Sequence, residues 1–239
     1  MPLTVADLYD PIYRAQGKDY DRESRELIAL IRQRHPGART LLDVGCGTGQ
    51  HMARMRQHYQ VEGADRDPLM LAHARSRLGP DVPLHLADMA ELELGRRFDV
   101  VTSLFSAIGY VRTVRRLRRA VRAMARHLSP GGVLAVEPWI LPEDWRPGVG
   151  VHASFVDEPG FKVARLSVNG RRGRLAVCDM HFLVATEAGV QRLREKLVLG
   201  LFADQEYRAA FEAAGLRVEH DPVGLTGRGL YWASLNLLE

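Results

Sequence analysis

Apolar and polar residues change their rhythm twice along this chain. "DRESRELIALIRQRHPG" (Asp21 to Gly37) sets Leu27, Leu30 and Ile31 on one helical face, and His35, Pro36 and Gly37 stop it. "TLLDV" then carries Leu41, Leu42 and Val44 without alternation, as a strand buried on both faces does. "GQHMARMRQHY" predicts a helix and "VEGAD" (Val61 to Asp65) a second strand. Asp67 and Pro68, as cap and first-turn proline, open a helix that runs to Leu78. "PLHLAD" and "FDVVTSLF" are the third and fourth strands. "RTVRRLRRAVRAMARHL" spaces Val114, Leu117, Val121, Met124 and Leu128 as one helix face. Pro130, Gly131 and Gly132 turn into a fifth strand, "VLAVEPW". Strands alternating with helices predict crossovers and a parallel sheet covered on both sides.

After Trp145 the pattern becomes strand after strand. "VHASFV", "FKVARLSVN", "GRLAVCDMHFLVAT" and "VQRLREKLVLGLF" are partly alternating runs, with "NGRRG" and "EAG" among the turns between them. Short turns make neighbours antiparallel. A helix, "DQEYRAAFEAAG", ends at Gly215, and "LRVEHD" and "LYWASLNL" close the chain as strands. The expected architecture is α/β: a doubly wound sheet with an antiparallel β insert after strand five. Single-domain organisation is expected over 1–239, with a helical cap at 1–38, a ligand-binding core at 39–145, the insert at 146–202 and a closing helix and strands at 203–239.

Composition narrows the class. The chain of 239 residues is 46% hydrophobic, enough for a normal core. No apolar run approaches the ~20 residues of a membrane helix, and "MPLTVADLYD" lacks the features of a secretory signal. Cys46 and Cys178, the two cysteines, form no disulfide framework and no metal-ligand spacing. A cytoplasmic protein without a metal or membrane partner is expected. The net charge of +4 is concentrated in seven arginines between Arg112 and Arg126. An amphipathic helix with a basic outer face accounts for them. No aromatic residue interleaves them, against single-strand nucleic-acid binding.

The candidate chemistry lies at the strand ends, where doubly wound sheets bind ligands. "TLLDVGCGTGQ" carries Asp43 and then Gly45, Gly47 and Gly49. Such a loop suits several adenosine-containing ligands. The Lys-Ser/Thr pair of an ATP loop is missing, and Met52 stands where a dinucleotide fingerprint would place its third glycine. Asp43 could steer an ammonium group. Asp65, at the second strand end, suits a ribose diol. Asp88 and Met89, after the third, could accept from an adenine amino group and cover its ring. Together they describe a ligand with ammonium, ribose and adenine but no pyrophosphate.

"LLDVGCGTG", "GADRDPLML", "LHLADM" and "RFDVVTSLFSAIGY" resemble the class I S-adenosylmethionine-dependent methyltransferases from about Leu41 to Trp139. The resemblance implies their Rossmann-like seven-stranded sheet. It implies that Tyr20, Asp43, Gly45, Cys46, Gly47, Gly49, Asp65, Arg66, Asp88, Met89 and Leu104 surround S-adenosylmethionine, with S-adenosylhomocysteine as product. "ADLYDPIYRAQGKDY", "SAIGYVRT", "VEPWILPEDW" and "GRGLYWA" extend it to the desosamine-type N,N-dimethyltransferases, which act on the amino group of a nucleotide-linked deoxysugar in antibiotic biosynthesis. The resemblance also favours a homodimer. In this chain Ile140 stands where the family often has a second tryptophan, and Val168 where it often has histidine. Both departures are expected on the sugar side of the pocket.

A TDP-linked amino sugar carries two phosphates and so needs a cation beyond the cofactor. Arg228, between Gly227 and Gly229, suits that role by type. Arg165 and Ser167 are further candidates, and Trp139 and Trp145 could stack on a sugar or base. The transfer needs a neutral amine aligned with an activated methyl rather than a strong base. Tyr110 and Glu137 are expected nearest the amine, with Tyr13 closing the pocket. His181 is expected to be structural. The alternative is a methyltransferase for another small-molecule amine or hydroxyl. A nucleic-acid methyltransferase is disfavoured, because "SLFSAIGY" lacks a proline-rich amine clamp.

Overall fold

The computed structural model describes residues 3–145 and 150–235. Two N-terminal helices, α1 (Val5–Ala15) and α2 (Tyr20–Arg34), precede the alternating region. That region runs β1 (Thr40–Val44), α3 (Gln50–Met55), β2 (Gln60–Asp65), α4 (Pro68–Leu78), β3 (Leu84–Leu86), β4 (Phe98–Ser103), α5 (Val114–Arg126) and β5 (Leu128–Val136). The insert is four strands: β6 (Val151–Glu158), β7 (Phe161–Arg172), β8 (Leu175–Thr186) and β9 (Gly189–Gly200). Helix α6 (Asp204–Glu212) and strands β10 (Leu216–Asp221) and β11 (Leu230–Leu235) follow. The last expected strand extended to Leu237; Asn236 and Leu237 lie outside the described residues.

The central sheet has seven strands in the order β10-β11-β5-β4-β1-β2-β3. Strands β1 to β5 pair in parallel, and β11 is antiparallel to both of its neighbours. The second sheet is the antiparallel β6-β7-β8-β9. This is the expected doubly wound fold with its insert. Side-chain alternation explains the unbroken apolar runs. Leu42, Val101 and Leu134 face the layer under α5 and α6, whereas their neighbours Leu41, Val100 and Val133 face the layer under α2, α3 and α4. Within α2, Leu27, Ile28 and Ile31 are buried, and Leu30 is only partly covered.

Several details depart from the expected pattern. Helix α3 is shorter, because the chain turns at Arg56–Tyr59 to reach β2 and buries Tyr59 on the way. Pro130, Gly131 and Gly132 do not precede β5 but form a bulge inside it: Phe98 pairs with Leu128 and Val100 with Val133. "NGRRG" is not all turn. The ladder continues to Arg172–Leu175, and Gly173, at φ 59, makes the reversal. Three of the arginines of α5 are paired with the acids that follow β3: Arg116 with Asp88, Arg119 with Glu91 and Arg126 with Glu93. Among the described residues no helix is long and apolar enough to cross a membrane.

Helix α1 seats the insert on the core. Leu8 and Ile12 pack against Val156, Val163, Phe182 and Val184 on the inner face of the second sheet. On the other side Asp10, almost buried, accepts hydrogen bonds from Thr48 (2.7 Å), Gln50 (2.8 Å) and Arg77 (2.6 Å). One carboxylate thus ties α1 to the glycine loop, α3 and α4.

Candidate active site

Between the carboxyl ends of the parallel strands, α1 and the inner face of the insert lies a cavity of about 800 Å³. Its floor is the loop after β1. Gly45, Gly47 and Gly49 have φ of 78°, 54° and 75°, which side chains resist. A Cβ on Gly45 would sit 2.5 Å from the Cβ of Ala107, whereas one on Gly47 would meet nothing within 4 Å. The first glycine therefore permits close packing of two loops, and the second leaves backbone open to a ligand. Gly49 does not line the cavity: its Cβ would meet Leu78 and Ala74, so its role is to let α3 start against α4.

The acids of the floor are held by the main chain. Asp65 accepts from the N–H of Gly47 (2.8 Å) and of Asp67 (2.9 Å), one on each oxygen. Each oxygen keeps a lone pair, enough for the two hydroxyls of a ribose. Asp43 is buried and accepts from the Thr102 hydroxyl at 2.8 Å. Burial pushes both carboxyls above their ordinary range. Asp88 accepts from the N–H of Ala90 and pairs with Arg116 at 2.5 Å. Tyr20, Cys46, Arg66, Met89 and Leu104 also line this half, and the donor set fits an adenosine cofactor with an ammonium.

After β4 the backbone is strained. Phe105, Ser106 and Arg112 have φ of 48°, 65° and 64° without being glycine. They bracket a 3₁₀ turn, Ala107–Val111, that presents Tyr110 to the cavity. Glu137 secures this bend: its carboxylate accepts from the N–H of Phe105 at 2.6 Å and from the Thr226 hydroxyl. It is fully buried and absent from the cavity wall, which corrects the expectation that it stands beside the amine. Ser106 donates to the carbonyl of Pro138 and accepts from Arg228 at 3.0 Å. The Arg228 guanidinium lies over Phe105 (5.0 Å) and Trp139 (4.9 Å). Tyr13 meets Phe105 edge-on at 4.9 Å; burial raises its hydroxyl pKa, against the pull of Arg165 and Arg228.

The ceiling is the insert. Arg165 and Ser167 of β7 face inward, with Asn169 two residues further on. The Arg165 Nε, the Ser167 hydroxyl, the Asn169 carbonyl and the Trp139 indole N–H are buried without hydrogen-bond partners. Native interiors rarely leave such groups unpaired; all four residues line the cavity, where a polar ligand can satisfy them. Trp145 does not reach the cavity; it packs beside Ala176, Leu199 and Leu201. Val168 is 58% exposed on the opposite face from Ser167, and Ile140 is also off the wall. Both expected departures on the sugar side therefore lie away from the cavity. His181 is on the outer face, 3.3 Å from Asp179. Phe105, Ser106, Asn169 and Glu195 escaped the sequence reading. Alternation from Ser167 could have found Asn169, but the charged alternation of "RLREKL" does not reveal which face of β9 is wet.

Comparison with known proteins agrees with this geometry. Residues 41–132 match the methyltransferase domain family. The chain is 44% identical over 228 residues to a dTDP-3-amino-3,4,6-trideoxy-alpha-D-glucopyranose N,N-dimethyltransferase of Streptomyces venezuelae, covering 95% of each. It is 43% identical to a dTDP-3-amino-3,6-dideoxy-alpha-D-glucopyranose N,N-dimethyltransferase of Streptomyces fradiae, over 95% of this chain and 89% of that one. The structure of Streptomyces venezuelae DesVI superposes with a TM-score of 0.93, at 43% identity, over 98% of this chain and 100% of that one. SAM-bound CalS10, an amino pentose methyltransferase from Micromonospora echinaspora, gives 0.86 at 42% identity over 98% and 97%. With its loop, acids and unpaired polar ceiling in the same fold, the chain belongs to the family of TDP-aminosugar N,N-dimethyltransferases.

Proposed function

We propose that this chain methylates the amino group of a TDP-linked amino-deoxysugar, using S-adenosylmethionine as donor. The observation that carries the reading is the cavity's two unlike halves. The floor offers tethered carboxylates and open glycine backbone, whereas Arg165, Ser167 and Asn169 of the ceiling and Trp139 after β5 carry unpaired polar atoms, and Arg228 lines the same cavity. The first set suits adenosine and an ammonium, the second a phosphorylated sugar.

When bound, the cofactor supplies an activated sulfonium methyl. Asp65 would hold its ribose, with Asp88 and Met89 beside the adenine and Asp43 nearest the amino-acid end. Arg228 and Arg165 would take the diphosphate, and Tyr13 and Tyr110 would line up the amine. Glu137 holds the bend that carries Tyr110 and acts by positioning. The reading is supported by the relatives' N,N-dimethyltransferase activities on dTDP-amino sugars.

Mass spectrometry on the protein mixed with S-adenosylmethionine and a TDP-3-amino-3,6-dideoxyhexose tests it. Gain of two methyl groups, the singly methylated species first, is expected. Cofactor binding by calorimetry without methyl gain on 3-amino or 4-amino sugars would overturn it. Arg228→Ala is expected to raise KM for the nucleotide sugar roughly tenfold or more, as for a lost charge-assisted bond. Cofactor affinity should not change.

We also propose a homodimer and a cytoplasmic location. The first is supported by Val151, Leu166, Val168 and Leu183, which are exposed together on the outer face of the insert. Sedimentation of Leu166→Asp tests it, a monomer being expected. The second is supported by Cys46 and Cys178, both buried and unpaired.

A further inference from the structure

The cavity has five carboxylates on its wall: Asp43, Asp65, Asp67, Asp88 and Glu195. Four come from strand ends of the central sheet, and each accepts a hydrogen bond: Asp43 from Thr102, Asp65 from Gly47 and Asp67, Asp67 from Leu69, and Asp88 from Ala90 and Arg116. Glu195 alone comes from the insert, and among the described residues it makes no hydrogen bond or ion pair. The register of the insert sets its direction. Ser167 pairs with Met180, and Met180 with Glu195, so the three form one cross-strand row on the inner face. All three line the cavity. With Arg165 acting on it only through space and no protein cation bonded to it, this carboxylate is free to take a positive partner. An amino sugar brings one, because its amine enters from water as an ammonium.

We propose that Glu195 receives the substrate ammonium and takes one proton from it, which leaves the neutral amine that attacks the methyl. This rests on the amino-sugar reading above. In this step one N–H bond breaks and its electron pair stays on nitrogen as the nucleophilic lone pair. One O–H bond forms on the Glu195 carboxylate, and the proton passes to solvent when product leaves. No other reactant is needed. The partial burial of Glu195 favours this direction, since a neutral amine and a carboxylic acid are easier to hold out of water than two ions. The surroundings of Glu195 support it. Arg165 on β7 and Cys178 on β8 share its wall; Tyr13 on α1, Tyr110 on the 3₁₀ turn and Asp67 after β2 lie close enough to feel its charge, and Arg66 lines the same cavity. Burial is the main cause raising the Glu195 carboxyl above its ordinary range; Asp67 adds to this and Arg165 opposes it.

Glu195→Gln tests the inference by two readouts. In turnover with the TDP-amino sugar, the variant should fall about 100-fold below wild type near pH 7, within the usual span of proton-transfer catalysis. The gap should close to a few-fold near pH 9.5, where solvent already supplies neutral amine. In binding without cofactor, wild type should prefer the TDP-amino sugar to TDP-glucose, and the variant should lose that preference while binding TDP-glucose unchanged. Glu195→Asp, which keeps the charge, should retain part of both effects. A pH-independent ratio of activities, or a retained preference for the amino sugar, would overturn the role of Glu195. Unchanged calorimetric binding of S-adenosylmethionine shows that each variant is folded. If wild type itself methylates no amino sugar, the failure lies with the proposed function instead.

Discussion

At the scale of single residues, position in the loop matters more than residue type. Gly45 and Gly47 both have positive φ, yet only the first touches a neighbouring loop. Gly45→Ala is expected to combine backbone strain with a clash on Ala107 and cost about 2 kcal/mol or more, read as a fall in thermal midpoint and lost cofactor binding. Gly47→Ala should leave packing intact, cost only the backbone strain of about 1 kcal/mol, and weaken the cofactor. A similar fall in midpoint for both would refute this division. Tyr110→Phe should lower kcat/KM about tenfold, on the order of one lost hydrogen bond; a loss of several thousandfold would make Tyr110 an acid–base group. Arg228 was visible in the sequence because it stands between two glycines, and Tyr110 because it follows the end of the fourth strand. Glu137 misled, since "EPW" follows a strand end, where ligand contacts concentrate. Its burial depends on Thr226, 89 residues away, and no local pattern contains that partner.

At the scale of elements, α1 is a seam. One face packs on the insert through Leu8 and Ile12, and the other holds the cofactor loop through Asp10. Asp10→Ala leaves Thr48, Gln50 and Arg77 without their acceptor and should cost about 2–3 kcal/mol. Protection of the glycine-loop amides from hydrogen exchange should fall with it, while α6 is unaffected. Equal loosening everywhere would argue against a local seam. Most elements were legible because period and punctuation agree: Asp67-Pro68 starts α4, and Leu41, Leu42 and Val44 put apolar residues on both faces of β1. The bulge inside β5 was not, since Pro-Gly-Gly signals a turn and only the pairing with β4 shows that the ladder resumes on both sides of it.

At the scale of the whole molecule, acid sensitivity traces to contacts between layers. Glu23 is buried and bonds both His51 (2.9 Å) and Lys18 (2.7 Å), joining α2 to α3. Burial would raise its carboxyl, but those partners outweigh it and hold it below its ordinary value. A depressed carboxylate stabilises fully above its unfolded value, near pH 4, and loses that contribution as pH falls through the folded value. The difference in thermal midpoint between wild type and Glu23→Gln should therefore shrink as pH falls below about 4; a gap that ignores pH in this acid range would refute it. The fold class follows from alternation of periods and was legible throughout. How the insert lies over the strand ends was not, because that depends on α1 contacting the second sheet and the glycine loop, α3 and α4 at once.

The row Ser167–Met180–Glu195 has a further consequence for how such a chain can change length. In a strand, parity decides which side chains see the ligand. A one-residue deletion between Val163 and Arg165 would turn Ser167 and Asn169 toward solvent and bring Leu166 and Val168 over the sugar. A two-residue deletion would shift the row along the sheet yet keep polar groups inward. Within these strands, then, even positions whose side chains never meet substrate carry a counting constraint, and only even changes leave the chemistry of the ceiling in place.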